Sequence, residues 1–238
     1  MATSVAFPGM GLFGIKRGEF WSGDMGLTLI TISLSVLVFV IIPMREAGLS
    51  GRLALELIIM ALMVFGAIAS EQNRIETKLA ITLIGATAIA LGAARLQPTP
   101  LLHQLGSLLS TITLVLYIRI VLVVMFRGGP ITWSRIQGGV SAYLLLGMAW
   151  ASAFQVVEQS QPGSIHFVTA PRDFDQLIAK LTYFSFSTLT TVGGDVTPVS
   201  PFARSLAVAE AATGQLFPAI LIGALVAMAM QSRAKSQN

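Results

Sequence analysis

The eleven residues TLTTVGGDVTP, Thr188 to Pro198, gather hydroxyl and backbone oxygen around two adjacent glycines and one carboxylate. Gly193 and Gly194 permit the backbone dihedrals required if successive carbonyls are to face one axis. Ligation is the chemistry such atoms offer. Catalysis is not expected: the chain has no His/Glu metal cluster, its serines and threonines have no nearby histidine base, and its 238 residues contain no cysteine. A thiolate metal site and a disulfide framework are thereby excluded, and no nucleotide-binding glycine pattern occurs.

The elements that must hold this stretch are membrane spans. Hydrophobic residues make up 54% of the chain and charged residues 11%, and the mean hydropathy is +0.78, a balance a water-soluble core of this size does not need. The formal charge of +4 comes from Lys and Arg spread singly rather than in a patch, which argues against nucleic acid and for membrane-flanking charges. Six apolar stretches read as spans: Met25 to Met44, Leu53 to Ser70, Leu79 to Ala94, His103 to Phe126, Ile136 to Val157 and Arg204 to Gln231. The first is too long for a secretory signal core and lacks an A-x-A end, so a retained helix is expected. The preceding FPGMGLFGI is either an interfacial foot or a disordered tail. With both termini cytoplasmic, the inner segments hold Lys16, Arg17, Arg74, Lys78, Arg127, Arg135, Arg233 and Lys235 against Arg45, Arg52 and Arg95 outside.

RGGPITWSR, Arg127 to Arg135, breaks helix and marks a boundary between two halves. Three regions follow: residues 1–24, a cytoplasmic or interfacial segment; residues 25–128, four spans; and residues 129–238, which carry the chemistry. Between the last two spans, Glu158 to Pro201 begins polar and turns apolar, which suggests re-entry. Non-helical backbone at membrane depth is tolerated only where protein or a water-filled cavity surrounds it. Asp173 and Asp175 suit the positive N-terminal end of a short helix running through Leu177, Leu181 and Phe184 toward Leu189.

From about Arg135 to Gln231 the chain resembles the pore module of tetrameric potassium channels and their prokaryotic relatives. DFDQLIAKLTYFSFSTLTT is similar to the family's pore helix, TVGGD to its selectivity filter, VTPVSPFAR to the turn after it, and SLAVAEAATGQLFPAILIGALVAM to its inner helix. The first half resembles the family only in its four spans. The resemblance implies an all-α membrane protein assembled as a homotetramer, with lipids and monovalent cations as partners and no cofactor. It also implies residence in a prokaryotic cell membrane. Oxygens of Thr190, Thr191, Val192, Gly193 and Gly194 would replace an ion's hydration water, with K+ held at Thr191, Val192 and Gly193. Tyr183, Phe184, Ser187 and Glu210 would support that turn, and Asp195 would brace it or concentrate cations at the outer mouth.

The sequence departs from the family where Gly193 is followed directly by Gly194, with no aromatic residue between them. One extended residue spans about 3.3 Å, so roughly one ring of oxygens is lost. The missing side chain would have anchored the filter to aromatic residues of the pore helix, so Tyr183 and Phe184 are left without that partner. Potassium conduction with reduced selectivity, sodium also passing, is the expectation; a non-conducting subunit of the same fold is the alternative. In the inner helix Gly214 and Pro218 suggest a gate, Gly214 serving either as a hinge or merely as a point of close packing, with a kink expected at Pro218. Glu210 either hydrogen-bonds behind the filter or charges the cavity.

The fourth span holds only Arg119 and Arg127, where a voltage sensor needs several repeated arginines, so the first half is expected to be a scaffold without strong voltage gating. Arg119 either snorkels or pairs with Glu56. RAKSQN after the last span is too short for a ligand-sensing domain. His166 and His103 are read as a solvated and a span-end histidine, not as sensors. A carrier finds no support, since the halves show no internal repeat.

Overall fold

The computed structural model describes residues 25–47, 74–126 and 133–236. The expected span Leu53 to Ser70, residues 1–24, Glu56, Arg127 and the boundary near residue 128 lie outside the described residues. Helix α1 (Met25–Val36) passes through a π-helical turn (Leu37–Ile41) into α2 (Ile42–Glu46). The wide turn has a local reason. Ile42 N–H donates to Leu37 O, five residues back, and Pro43 has no N–H to offer, so the ladder shifts where it must in any case be interrupted.

Helix α3 (Arg74–Leu96) is followed by α4 (Pro100–Met125), which starts behind Thr99, whose Oγ1 accepts from Leu102 N at 3.4 Å, with Pro100 in the first position that needs no N–H partner. Helix α5 is Trp133–Ser160. Beyond it come strand β1 (Ile165–Phe167), the short helix α6 (Phe174–Leu189), strand β2 (Val196–Pro198) and the long helix α7 (Pro201–Ser236), which runs on through Pro218.

Three of these helices are long and apolar enough to cross a membrane, over Pro100–Val123, Arg135–Ser160 and Pro201–Met230; the apolar stretches Ile30–Met44 and Lys78–Ala94 are shorter. In lipid, helices associate through close packing and interhelical hydrogen bonds, and hydroxyls and amides supply several of the latter here. Between α4 and α5, Thr111 Oγ1 donates to Ser152 Oγ at 3.0 Å, Ser152 Oγ to Ser107 O at 2.9 Å, and Gln159 Nε2 to Ser107 Oγ at 3.0 Å. Thr87 and Thr113 hydroxyls join α3 to α4 at 3.0 Å, and those of Thr31 and Ser141 join α1 to α5 at 2.7 Å.

One cluster combines Ile30 and Leu34 of α1 with Tyr117 and Val121 of α4 and Ala142, Leu144 and Leu145 of α5. A second seats Leu37, Ile41 and Ile42 against Ala179 of α6. The first half thus packs on the elements that carry the glycine turn.

To this mostly helical fold the structure adds one short sheet. β1 and β2 pair antiparallel, with Ile165 opposite Pro198, His166 opposite Thr197 and Phe167 opposite Val196. Three-residue strands are too short to show an alternating pattern in sequence. The turn before β1 is closed by the Glu158 carboxylate, which accepts from Gly163 N at 2.8 Å and Ile165 N at 2.9 Å. Ser164 O accepts from Val199 N and Ser200 N, and Ser200 Oγ accepts from Ala203 N at 3.2 Å, capping α7 ahead of Pro201.

Candidate functional site

Helix α6 begins at a reciprocal cap that resembles a capping box displaced by one residue. Asp173, in extended conformation, accepts from Gln176 N at 2.8 Å, while the Gln176 side chain accepts from Arg172 N at 2.9 Å. Asp175 adds a carboxylate to the first turn, favourable at the positive end of the helix. At 16 residues α6 is about 24 Å long, too short to cross a hydrocarbon core of about 30 Å. Its buried face includes Ala179, Leu181, Thr182, Phe184, Ser185, Ser187 and Leu189.

The helix ends in a Schellman arrangement. Thr191 N donates to Thr188 O at 3.0 Å and Val192 N to Ser187 O at 2.8 Å, with Gly193 N reaching the same oxygen at 3.3 Å. Thr190 closes the last turn, its N–H and Oγ1 both donating to Phe186 O. The position that a glycine usually fills is held by Thr191 at φ 58°, a left-handed conformation that a β-branched residue adopts at a cost of about 1–2 kcal/mol. Gly193 takes φ 77° without that cost. Residues 190–195 are all exposed on the single chain, Val192 at 79%. Asp195 stands at the bend before β2.

The residues expected to support the turn take these places. Phe184 has a partner: its ring meets Phe154 of α5 edge to face, centroids 4.8 Å apart. Tyr183 also has one, since a Cβ added to Gly194 would lie 2.9 Å from both its Cε1 and its Oη. The phenol of α6 therefore stands against the backbone of the glycine turn. Ser187 is buried, its hydroxyl turned back to Phe184 O at 2.9 Å and its carbonyl holding the Schellman turn.

Glu210 is fully buried, with Oε1 accepting from Ser185 Oγ at 2.5 Å; that hydroxyl also lies 2.6 Å from Gly147 O. Three helices, α5, α6 and α7, meet at this one serine. Glu210 of α7 is thus hydrogen-bonded to α6. Gly214 lies where α7 crosses the end of α6: an added Cβ would be 2.0 Å from Leu189 O. Tyr143 Oη approaches the same oxygen from α5 at 3.5 Å. Pro218 lies one turn further on, inside the continuous α7.

Sequence reasoning missed Ser185, Gly147, Tyr143 and Gln215, whose Nε2 lies 3.4 Å from Thr191 Oγ1. Only Gln215 had a readable signal, as an amide inside an apolar span. His166 lies exposed on β1, and His103 stacks on Phe174, centroids 4.2 Å apart. Arg119 is exposed along α4.

Residues 143–231 match the family model described as ion channel. No curated protein and no solved structure matches the chain. The matched stretch covers most of α5, the whole segment from β1 to β2, and α7 as far as Gln231. The chain therefore carries an ion-channel domain in its second half and, with its long apolar helices, is a membrane protein.

Proposed function

We propose that the chain is the pore-forming subunit of a homotetrameric potassium-type cation channel, conducting K+ with reduced selectivity over Na+ and without strong voltage gating. One observation carries this reading. A capped helix too short to cross the membrane lies between two that can, and ends in an exposed glycine turn. Four such turns around a common axis account for the exposure of residues 190–195. They also direct the negative helix ends toward a dehydrated cation. The lost residue removes about one ring of ligands, and fewer carbonyl dipoles discriminate less between cations. In the cell membrane both termini face the cytoplasm, by the distribution of Lys and Arg.

The Schellman closure supports a second reading, a non-conducting subunit, because it folds the N–H groups of Thr191, Val192 and Gly193 back onto the carbonyls of Thr188 and Ser187 rather than leaving this backbone extended along an axis. Purified protein in planar bilayers separates the two. A channel gives a tetramer by mass and cation current with a reversal potential showing modest K+ preference under bi-ionic conditions. A strong K+ preference overturns the reduced selectivity, current rising steeply with depolarisation overturns the scaffold role of the first half, and no cation current leaves the second reading.

A further inference from the structure

Between Glu210 and Gln231, α7 carries only two polar side chains, Thr213 and Gln215. Thr213 returns its hydroxyl to Glu210 O at 2.8 Å, the usual way a hydroxyl is satisfied inside an apolar helix. Gln215 does not turn back. It is exposed, one residue beyond the contact of Gly214 with Leu189, and its amide reaches across to Thr191. Thr190 Oγ1 is engaged by Phe186 O, whereas Thr191 Oγ1 and the Gln215 amide meet each other at 3.4 Å, both on exposed residues.

A primary amide presented to hydrocarbon is unfavourable, and intramembrane polar groups gather where water or a partner meets them. With Nε2 turned to Thr191, the carbonyl oxygen Oε1 and its two lone pairs remain, and such an oxygen is the same kind of hard ligand as a backbone carbonyl. We propose that Gln215 and Thr191 form a monovalent-cation site at the inner mouth of the turn, the amide supplying oxygen where the shortened backbone has lost it. This rests on the channel reading above.

The test compares wild type, Gln215→Leu and Gln215→Glu, each as assembled protein, by K+ and Na+ flux from liposomes and by K+ binding calorimetry in detergent. Gln215→Leu is expected to weaken K+ binding and lower the K+/Na+ flux ratio by about threefold to tenfold, the range for one lost polar contact. Gln215→Glu is expected to introduce block by internal Ba2+, since a carboxylate there attracts a divalent ion. Unchanged flux ratio and unchanged K+ binding in Gln215→Leu overturn the site. If Gln215→Leu does not assemble, absence of Ba2+ block in Gln215→Glu overturns it. Wild type without flux defeats the channel reading instead, and K+ binding then decides the site alone: loss in Gln215→Leu supports it, no change overturns it.

Discussion

Gly214 and Leu189 meet backbone to backbone: α7 crosses the end of α6 so closely that a methyl group on Gly214 would occupy the space of the Leu189 carbonyl. A backbone atom cannot swing aside as a flexible side chain can. Gly214→Ala is therefore expected to lower stability by about 1–3 kcal/mol or more, read as a lower thermal midpoint in detergent. Gly223→Ala, inside the same helix with open space around the added carbon, is expected not to lower the midpoint and to raise it slightly through helix propensity. A fully stable Gly214→Ala with altered opening would instead indicate a hinge.

Ser185 joins three helices through one hydroxyl. Ser185→Ala leaves the buried Glu210 carboxyl without its described partner, and a loss of about 1–3 kcal/mol is expected. A double-mutant cycle with Glu210→Leu is the sharper measurement. Coupling near zero would mean that the two side chains stabilise the protein independently.

Thr191 holds a left-handed conformation more suited to glycine. Thr191→Gly is expected to be neutral or stabilising by up to about 1 kcal/mol, because relief of the backbone strain exceeds the entropy glycine adds to the unfolded chain. Thr191→Val keeps the strain and is expected not to stabilise. Thermal unfolding of both variants checks the sign.

Gly194 and Tyr183 are expected to be non-additive. Gly194→Ala drives a methyl into the phenol ring and should destabilise the turn, whereas the same change beside Tyr183→Ala meets no ring. Additive effects on stability and on K+/Na+ flux ratio would show that the contact does not support the turn.

Several parts of this architecture were legible in the residues themselves. Asp173, two places before Asp175 and three before Gln176, marks the start of α6 because capping is a local affair of one side chain and the next turn. The long apolar runs of α4, α5 and α7 declare membrane spans because the hydrocarbon core selects on length and hydropathy. Gly193 and Gly194 announce a turn of unusual dihedrals, and the pore-module resemblance agrees with the ion-channel domain over residues 143–231.

The contacts that join distant positions were decided only in the tertiary structure. Ser185 is an ordinary small residue until α5 and α7 bring Gly147 and Glu210 to it. Phe184 finds Phe154 and Tyr183 finds Gly194 because α6 packs between helices whose separation in sequence says nothing of their crossing points. The strands β1 and β2 exist only as a pair, each too short to be stable or patterned alone. Local rules act through neighbouring residues on one helix turn or one apolar run; crossing helices and paired strands are set by the shape each surface offers the other, and one chain read in order does not display that shape.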